Sequence, residues 1–194
     1  MSVFYNISAK LKRMLFVRFR IWKYRWLSTC GKVSGAPVKF QPVLLRGKGT
    51  VSFGKNIQIG VIGGPGFYTG YAYIEARNAT AGIHLGNNIG INNSFSIIAE
   101  NSHIWIEDDV LIGFNCHIAD SDFHEITPER RKNGTPVSQP VLIKKNVFIG
   151  SNVSILKGVT IGENSVIAHG AVVVSDIPDN VIAGGVPAKV LKAL

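Results

Sequence analysis

Between Ile143 and Val173 a branched aliphatic residue returns at every sixth position: Ile143, Ile149, Ile155, Ile161, Ile167 and Val173. Four places after each of the first five stands a small or β-branched residue: Val147, Val153, Val159, Ser165 and Ala171. A period of six fits neither the 3.6-residue period of a helix nor the alternation of a strand. It marks a repeat whose units cannot bury an apolar face alone and therefore stack. Each hexad predicts one short strand and a turn. Three hexads close a triangular coil, and the recurring aliphatics point into the prism. Gly and Asn fall where the chain must turn sharply and φ becomes positive.

Upstream the period is interrupted. It starts weakly at Phe53 and Ile59, each followed by Gly, and then meets Gly63, Gly64, Pro65 and Gly66. Beyond these lies an aromatic patch of Phe67, Tyr68, Tyr71 and Tyr73, read as an irregular coil or a loop that forms part of a binding wall or a surface contact. The repeat resumes at Leu85, Ile91 and Ile97, slips by three, and continues at Ile106, Ile112 and Ile118. The stretch ADSDFHEITPERRKNGTPVSQP then separates Ile118 from Ile143. It is too polar and too rich in Pro and Gly for a coil, and long loops within compact domains are usually functional. These patterns predict an all-β solenoid over residues 45–182, with an excursion over 119–142. Residues 35–44 read as a linker. In the tail, 183–194, Gly184 and Gly185 predict a tight turn, and Pro187 opens a short terminal helix.

The first 34 residues follow a different rule. Phe4, Ile7, Leu11, Leu15, Phe19, Trp22 and Trp26 recur at steps of three and four, which predicts an amphipathic helix over 3–27. The longest unbroken apolar run in it is Met14 to Val17, too short for a membrane span or a secretory h-region. The formal net charge is +9, and residues 1–74 contain twelve Lys and Arg with no Asp or Glu. Residues 75–194 carry nine basic and twelve acidic side chains. The basicity therefore belongs to the N-terminal third. Aromatics on one face and cations on the others suit peripheral contact with an anionic membrane; covering an open solenoid end or a partner subunit is the alternative. No nucleic-acid-binding module accompanies the charge, so no nucleic acid is expected. Cys30 and Cys116 show no metal-ligand spacing, and Cys116 fills a small-residue site of a hexad.

The hexads, a His in the excursion and the tail AGGVPAKV together resemble the hexapeptide-repeat acyltransferases, whose fold is a left-handed parallel β-helix. The closest similarity is to the galactoside and maltose O-acetyltransferases and to the sugar O-acetyltransferases of polysaccharide synthesis. It covers residues 45–194. The resemblance implies a cytoplasmic homotrimer that moves an acetyl group from acetyl-CoA to a sugar hydroxyl on a small or lipid-linked acceptor. By motif position His124 is the general base. A sugar hydroxyl needs a base whose pKa lies near the working pH, and His is suited to that task. Asp122, Glu125 or a backbone carbonyl would orient the imidazole; Glu125 stands where the family usually has Pro. A backbone N–H near Gly150 and Ser151 would receive the oxyanion.

The same resemblance assigns acetyl-CoA to Gly150, Ser151, His169, Val174, Ser175 and Lys189, and the acceptor to Asn93 or its neighbour Asn92. The chain departs from the family at Phe148 for Trp, His169 for a small residue, Ser175 for Lys and Lys189 for Arg. His84, His103 and His117 invite comparison with zinc hydratases on the same fold, but His84 and His103 read as exposed polar positions on coils, His117 immediately precedes the excursion near the site and is given no role, and no metal is expected. Two other functions remain open at this level: N-acetylation of an amino sugar or small amine, and a non-catalytic scaffold.

Overall fold

The computed structural model describes Leu11 and residues 14–194. From Lys32 onward the chain winds through three parallel sheets that form the faces of a triangular prism. The first face stacks Lys32–Ser34, Thr50–Phe53, Gly82–Leu85, His103–Ile106, Val141–Ile143 and Thr160–Ile161. The second stacks Val38–Lys39, Gln58–Ile59, Gly90–Ile91, Leu111–Ile112, Phe148–Ile149, Val166–Ile167 and Val181–Gly185. The third stacks Val43–Gly47, Ala72–Ala76, Ser96–Ala99, His117–Ala119, Ser154–Ile155 and Val172–Val173. The result is a left-handed β-helix of six full coils and one partial coil.

Register explains why the hexad works. Leu85, Ile106, Ile143 and Ile161 lie directly above one another on the first face. Ile91, Ile112, Ile149 and Ile167 do so on the second, and Ile97, Ile118, Ile155 and Val173 on the third. All twelve are buried, as are Val147, Val153, Val159, Ser165 and Ala171. Each buried aliphatic contributes about 1.5–3 kcal/mol through removal from water. Ser165 is tolerated there because its hydroxyl donates to the Pro178 carbonyl at 2.6 Å.

Asparagines turn the corner between first and second faces. Asn56, Asn88, Asp109, Asn146, Asn164 and Asn180 all adopt φ of 56–63°. Asn and Asp tolerate this region better than other side-chain-bearing residues. Their side chains also bond between coils, Asn56 to Asn88 at 3.1 Å and Asn88 to Asp109 at 3.0 Å. Asn146, Asn164 and Asn180 continue the pattern at 2.9 and 2.8 Å.

Three expectations change. The coils begin at Lys32, so residues 35–44 run largely as solenoid rather than linker. The C-terminal residues form no helix. Ala188–Ala193 is a strand that pairs antiparallel with Val181–Gly185 after a reversal at Val186 and Pro187. Eight residues make a marginal helix, whereas the second face offers an edge that needs hydrogen-bond partners. At the other end, Met14–Arg18 is a π-helical segment leading into an α-helix, Phe19–Leu27. Residues 3–10, also expected to be helical, lie outside the described residues. Ser28 and Thr29 join this helix to the strand Val43–Gly47: the Thr29 N–H donates to the Leu45 carbonyl at 2.9 Å, and the Leu45 N–H to the Ser28 hydroxyl at 3.0 Å.

Candidate active site

The excursion leaves the prism where the third face gives way to the first. Its base is pinned. Asp120 is fully buried, and its carboxylate accepts the backbone N–H groups of Glu100 at 2.6 Å, Ser102 at 2.7 Å and Asn101 at 3.3 Å. The Gln139 N–H donates to the Asp120 carbonyl at 2.8 Å, so the returning strand is held as well. Ser121 donates to the Glu100 carboxylate. Arg77 bridges Glu75 at 3.1 Å and Glu100 at 3.3 Å, and its guanidinium lies 4.9 Å from the Phe123 ring centroid.

Phe123 carries φ of 60°, an uncommon conformation for a bulky residue. The Arg77 contact and a 3.0 Å bond from the Phe123 N–H to the Ser121 hydroxyl hold it there. This bend presents the next residue, His124, to solvent. Among the described residues no hydrogen bond engages the His124 ring. The two carboxylates expected to orient it are each held by a cation. Asp122 pairs with Lys157 at 2.7 Å and Glu125 with Arg130 at 3.2 Å.

The other expected residues divide between the two edges of the third face. Val174 and Ser175, both exposed, share the excursion's edge. Gly150, Ser151 and His169 lie on the opposite edge, with Asn92 and Asn93 two coils above Gly150 and Ser151. Close coil stacking makes Gly113 and Gly150 necessary: a Cβ on Gly113 would meet the Gly150 carbonyl carbon at 2.6 Å, and one on Gly150 the His169 nitrogen at 2.8 Å. The Gly150 N–H donates to the Ile167 carbonyl at 2.8 Å. The Ser151 N–H has no acceptor among the described residues. The Ser151 hydroxyl accepts the Phe114 N–H at 3.1 Å, and His169 meets the Asn152 side chain at 3.4 Å. Lys189 is exposed on the terminal strand opposite Gly184.

Asn93 is fully buried and turned toward the loop above it. Its amide accepts the Val61 N–H at 3.0 Å and donates to the Val61 and Pro65 carbonyls, each at 2.9 Å. Asn92, half-buried, instead faces a 260 Å³ groove shared with Gln58, Leu111 and Phe148. Between the two edges stands His117, flanked in register by Ser96 and Ser154. Burial pushes its pKa down.

Two features were not anticipated from the sequence. The anchoring set of Asp120, Glu100, Glu75 and Arg77 is dispersed over 46 positions, and only coil register brings it together. On the first face, His84, His103 and Trp105 stack with ring centroids 5.0–5.8 Å apart, and the Ser52 hydroxyl meets the His84 ring at 2.8 Å. His84 and Trp105 line a cleft of about 620 Å³ with Glu107, Asp108 and Lys145. Burial and the neighbouring His103 lower the His84 pKa. His117, on another face, does not join this pair. Among the described residues no group of three His, Cys, Asp or Glu side chains is placed to hold a metal.

A family profile described as bacterial transferase hexapeptide (six repeats) matches residues 140–175. The chain is 43% identical over 112 residues to a galactoside O-acetyltransferase of Escherichia coli, a match covering 58% of this chain and 54% of that one. It is 38% identical over 124 residues to a galactoside O-acetyltransferase of Lactococcus lactis, covering 64% and 57%. The chain thus spans little more than half the length of these curated relatives. Among solved structures, a hexapeptide-repeat acetyltransferase of Vibrio cholerae complexed with acetyl coenzyme A superposes with a TM-score of 0.55 at 27% identity, covering 88% of this chain and 74% of that one. A galactoside acetyltransferase in complex with coenzyme A gives 0.53 at 35% identity, covering 74% and 64%. With its six-residue period and three-faced prism, the chain carries the bacterial transferase hexapeptide repeat over 140–175 and is similar in sequence and fold to hexapeptide-repeat acetyltransferases.

Proposed function

We propose that the protein is an acetyl-CoA-dependent O-acetyltransferase acting on a sugar hydroxyl, with His124 as general base. The observation that carries this reading is the exposed His124 ring on a loop whose base is rigidly pinned and whose neighbouring carboxylates are occupied by cations. His124 takes the proton of the acceptor hydroxyl as its oxygen attacks the thioester carbon. The tetrahedral oxyanion accepts a hydrogen bond from the Ser151 N–H, while the Gly150 N–H stays in the coil ladder. Collapse breaks the carbon–sulfur bond, and the imidazolium returns the proton to the departing CoA thiolate. No covalent acyl-enzyme is needed. Burial raises the Cys116 pKa, which makes its thiol a poor nucleophile.

His124 and Ser151 lie on different edges of the third face, and this favours a homotrimer in which the excursion of one copy meets the Gly150–Ser151 edge of the next. His169, Val174, Ser175 and Lys189 would hold the cofactor along the last coils, and Asn92 the acceptor. With Asn93 committed to the loop above, Asn92 is the better placed of the two. The reaction serves cell-surface polysaccharide synthesis in the cytoplasm, with a lipid-linked acceptor presented at the inner membrane face.

Titration calorimetry with acetyl-CoA, on the wild type and on His124→Ala in parallel, tests the reading. Equal binding, with CoA release in the presence of a sugar acceptor seen only for the wild type, supports it. Absence of acetyl-CoA binding by the wild type overturns it. Preferential turnover of amines over hydroxyls assigns the same site to N-acetylation instead.

A further inference from the structure

The N-terminal helix turns its apolar stripe away from the solenoid. Val17 is buried, but Phe19, Trp22 and Trp26 are 58%, 62% and 77% exposed. This orientation is fixed. The Arg20 guanidinium donates to the carbonyls of Tyr68, Thr69 and Gly70, and the Tyr24 ring lies 4.9 Å from that of Tyr71. Beside the stripe, the helix and the first coil enclose a cleft of about 580 Å³. Its walls are apolar, from Ile21, Val33, Leu45 and Phe53, while Arg25 and Lys39 supply its charge. Burial and the Arg25 charge push the Lys39 pKa down. Among the described residues, none of the basic side chains from Arg18 to Lys55 forms an ion pair.

We infer that this end of the molecule docks on an anionic phospholipid bilayer, with Phe19, Trp22 and Trp26 in the headgroup–acyl boundary and a lipid phosphate between Arg25 and Lys39. Charge selects the occupant. The first 74 residues carry twelve cations and no acidic group, so a second copy seated on the same face would meet like charge. A bilayer with anionic headgroups satisfies both the aromatics and the unpaired cations. A cleft with apolar walls and two cations matches a lipid, which offers a phosphate beside acyl chain. Among the described residues no helix is long and apolar enough to cross the membrane, so this contact is a surface one. The inference sharpens the inner-face location proposed above and rests on it for the choice of surface.

The full chain would be sedimented with vesicles of phosphatidylcholine alone and of equal parts phosphatidylcholine and phosphatidylglycerol. Acetyl transfer to a soluble acceptor is measured on the same samples, so failure of docking and failure of the proposed reaction read out separately. The expected result is binding to the anionic vesicles that weakens with salt. Arg25→Gln with Lys39→Gln should weaken it about thirtyfold, at about fivefold per cation. Trp22→Ala with Trp26→Ala should reduce it by an order of magnitude or more. Trp22, Trp26 and Arg25 are exposed and Lys39 is half-buried, and an unchanged circular dichroism spectrum checks the fold of both pairs. Equal binding to both vesicle types overturns the inference, as does binding that neither pair alters. Full competition by inorganic phosphate would make the site one for a soluble anion, and a dimer broken by the Trp pair would make the face a subunit contact; either outcome overturns the membrane assignment.

Discussion

The loop Gly60–Tyr71 and the excursion over 120–140 both interrupt the coils, on opposite edges of the third face, yet they are built differently. The first is folded back along its length. Phe67 is buried, Asn93 binds its backbone from below, and Arg20 holds three carbonyls from the side. The second is held to the coils near its root, by Asp120 and Ser121, by the Asp122–Lys157 pair and by the Arg77 contact with Phe123. Farther out Ile126 is 72% exposed, and His124 has no partner among the described residues. A loop that closes on itself serves as a wall. A loop with a rigid root and an unengaged imidazole can meet two substrates in succession.

The largest effect expected from breaking this contrast is at His124. His124→Ala should lower acetyl transfer about 10²- to 10⁴-fold, the usual contribution of a positioned general base. The thermal midpoint should stay unchanged, because an exposed ring without partners contributes little to stability. A matching loss of thermal stability would show that the side chain holds the loop instead. Asp120→Ala attacks the root. It strands three backbone N–H groups, one of them that of buried Glu100, and should cost about 3 kcal/mol in a urea titration. Activity should fall as well, since the loop then loses its fixed origin.

Asn93→Ala makes the complementary test on the closed loop. Three hydrogen bonds disappear, but Val61 and Pro65 are exposed enough for water to replace them in part. The expected cost is about 2 kcal/mol, read in the same titration. If Asn93 serves only this loop, acceptor KM should change far less than in Asn92→Ala. Equal rises in KM would return Asn93 to the acceptor site.

The contrast also explains what could be read from the sequence. The coils were legible because a buried aliphatic every six residues is a local, periodic signal, unbroken from Ile143 to Val173. The excursion was legible as its interruption. The root of the excursion was not. Glu75, Arg77, Glu100 and Asp120 meet only because three coils of unequal length bring them into register. The Ser52, His84 and Trp105 column was hidden in the same way, since its members are 32 and 21 positions apart. The C-terminal strand was misread because Pro187 suits the start of a helix locally, whereas the second face supplies an edge that only the folded molecule presents.

The smallest expected effect concerns His117, on the face between the two loops. Its pKa is lowered by burial, so the folded protein resists protonating it while the unfolded chain takes up a proton near the ordinary value of 6.5. The unfolded state then binds more protons below that pH, and stability must fall as pH falls through and below this range. Ser96 and Ser154 flank the ring in register, and neither can serve as a charged partner for an imidazolium. His84 contributes with the same sign from the first face. His117→Gln, uncharged at every pH, should therefore lessen the drop in thermal midpoint between neutral and mildly acidic buffer without abolishing it. His117→Gln with His84→Gln should flatten it further. A wild-type midpoint that rises on acidification would mean that a charged partner for His117 is supplied by a neighbouring subunit, and would place this face inside the assembly rather than on its surface.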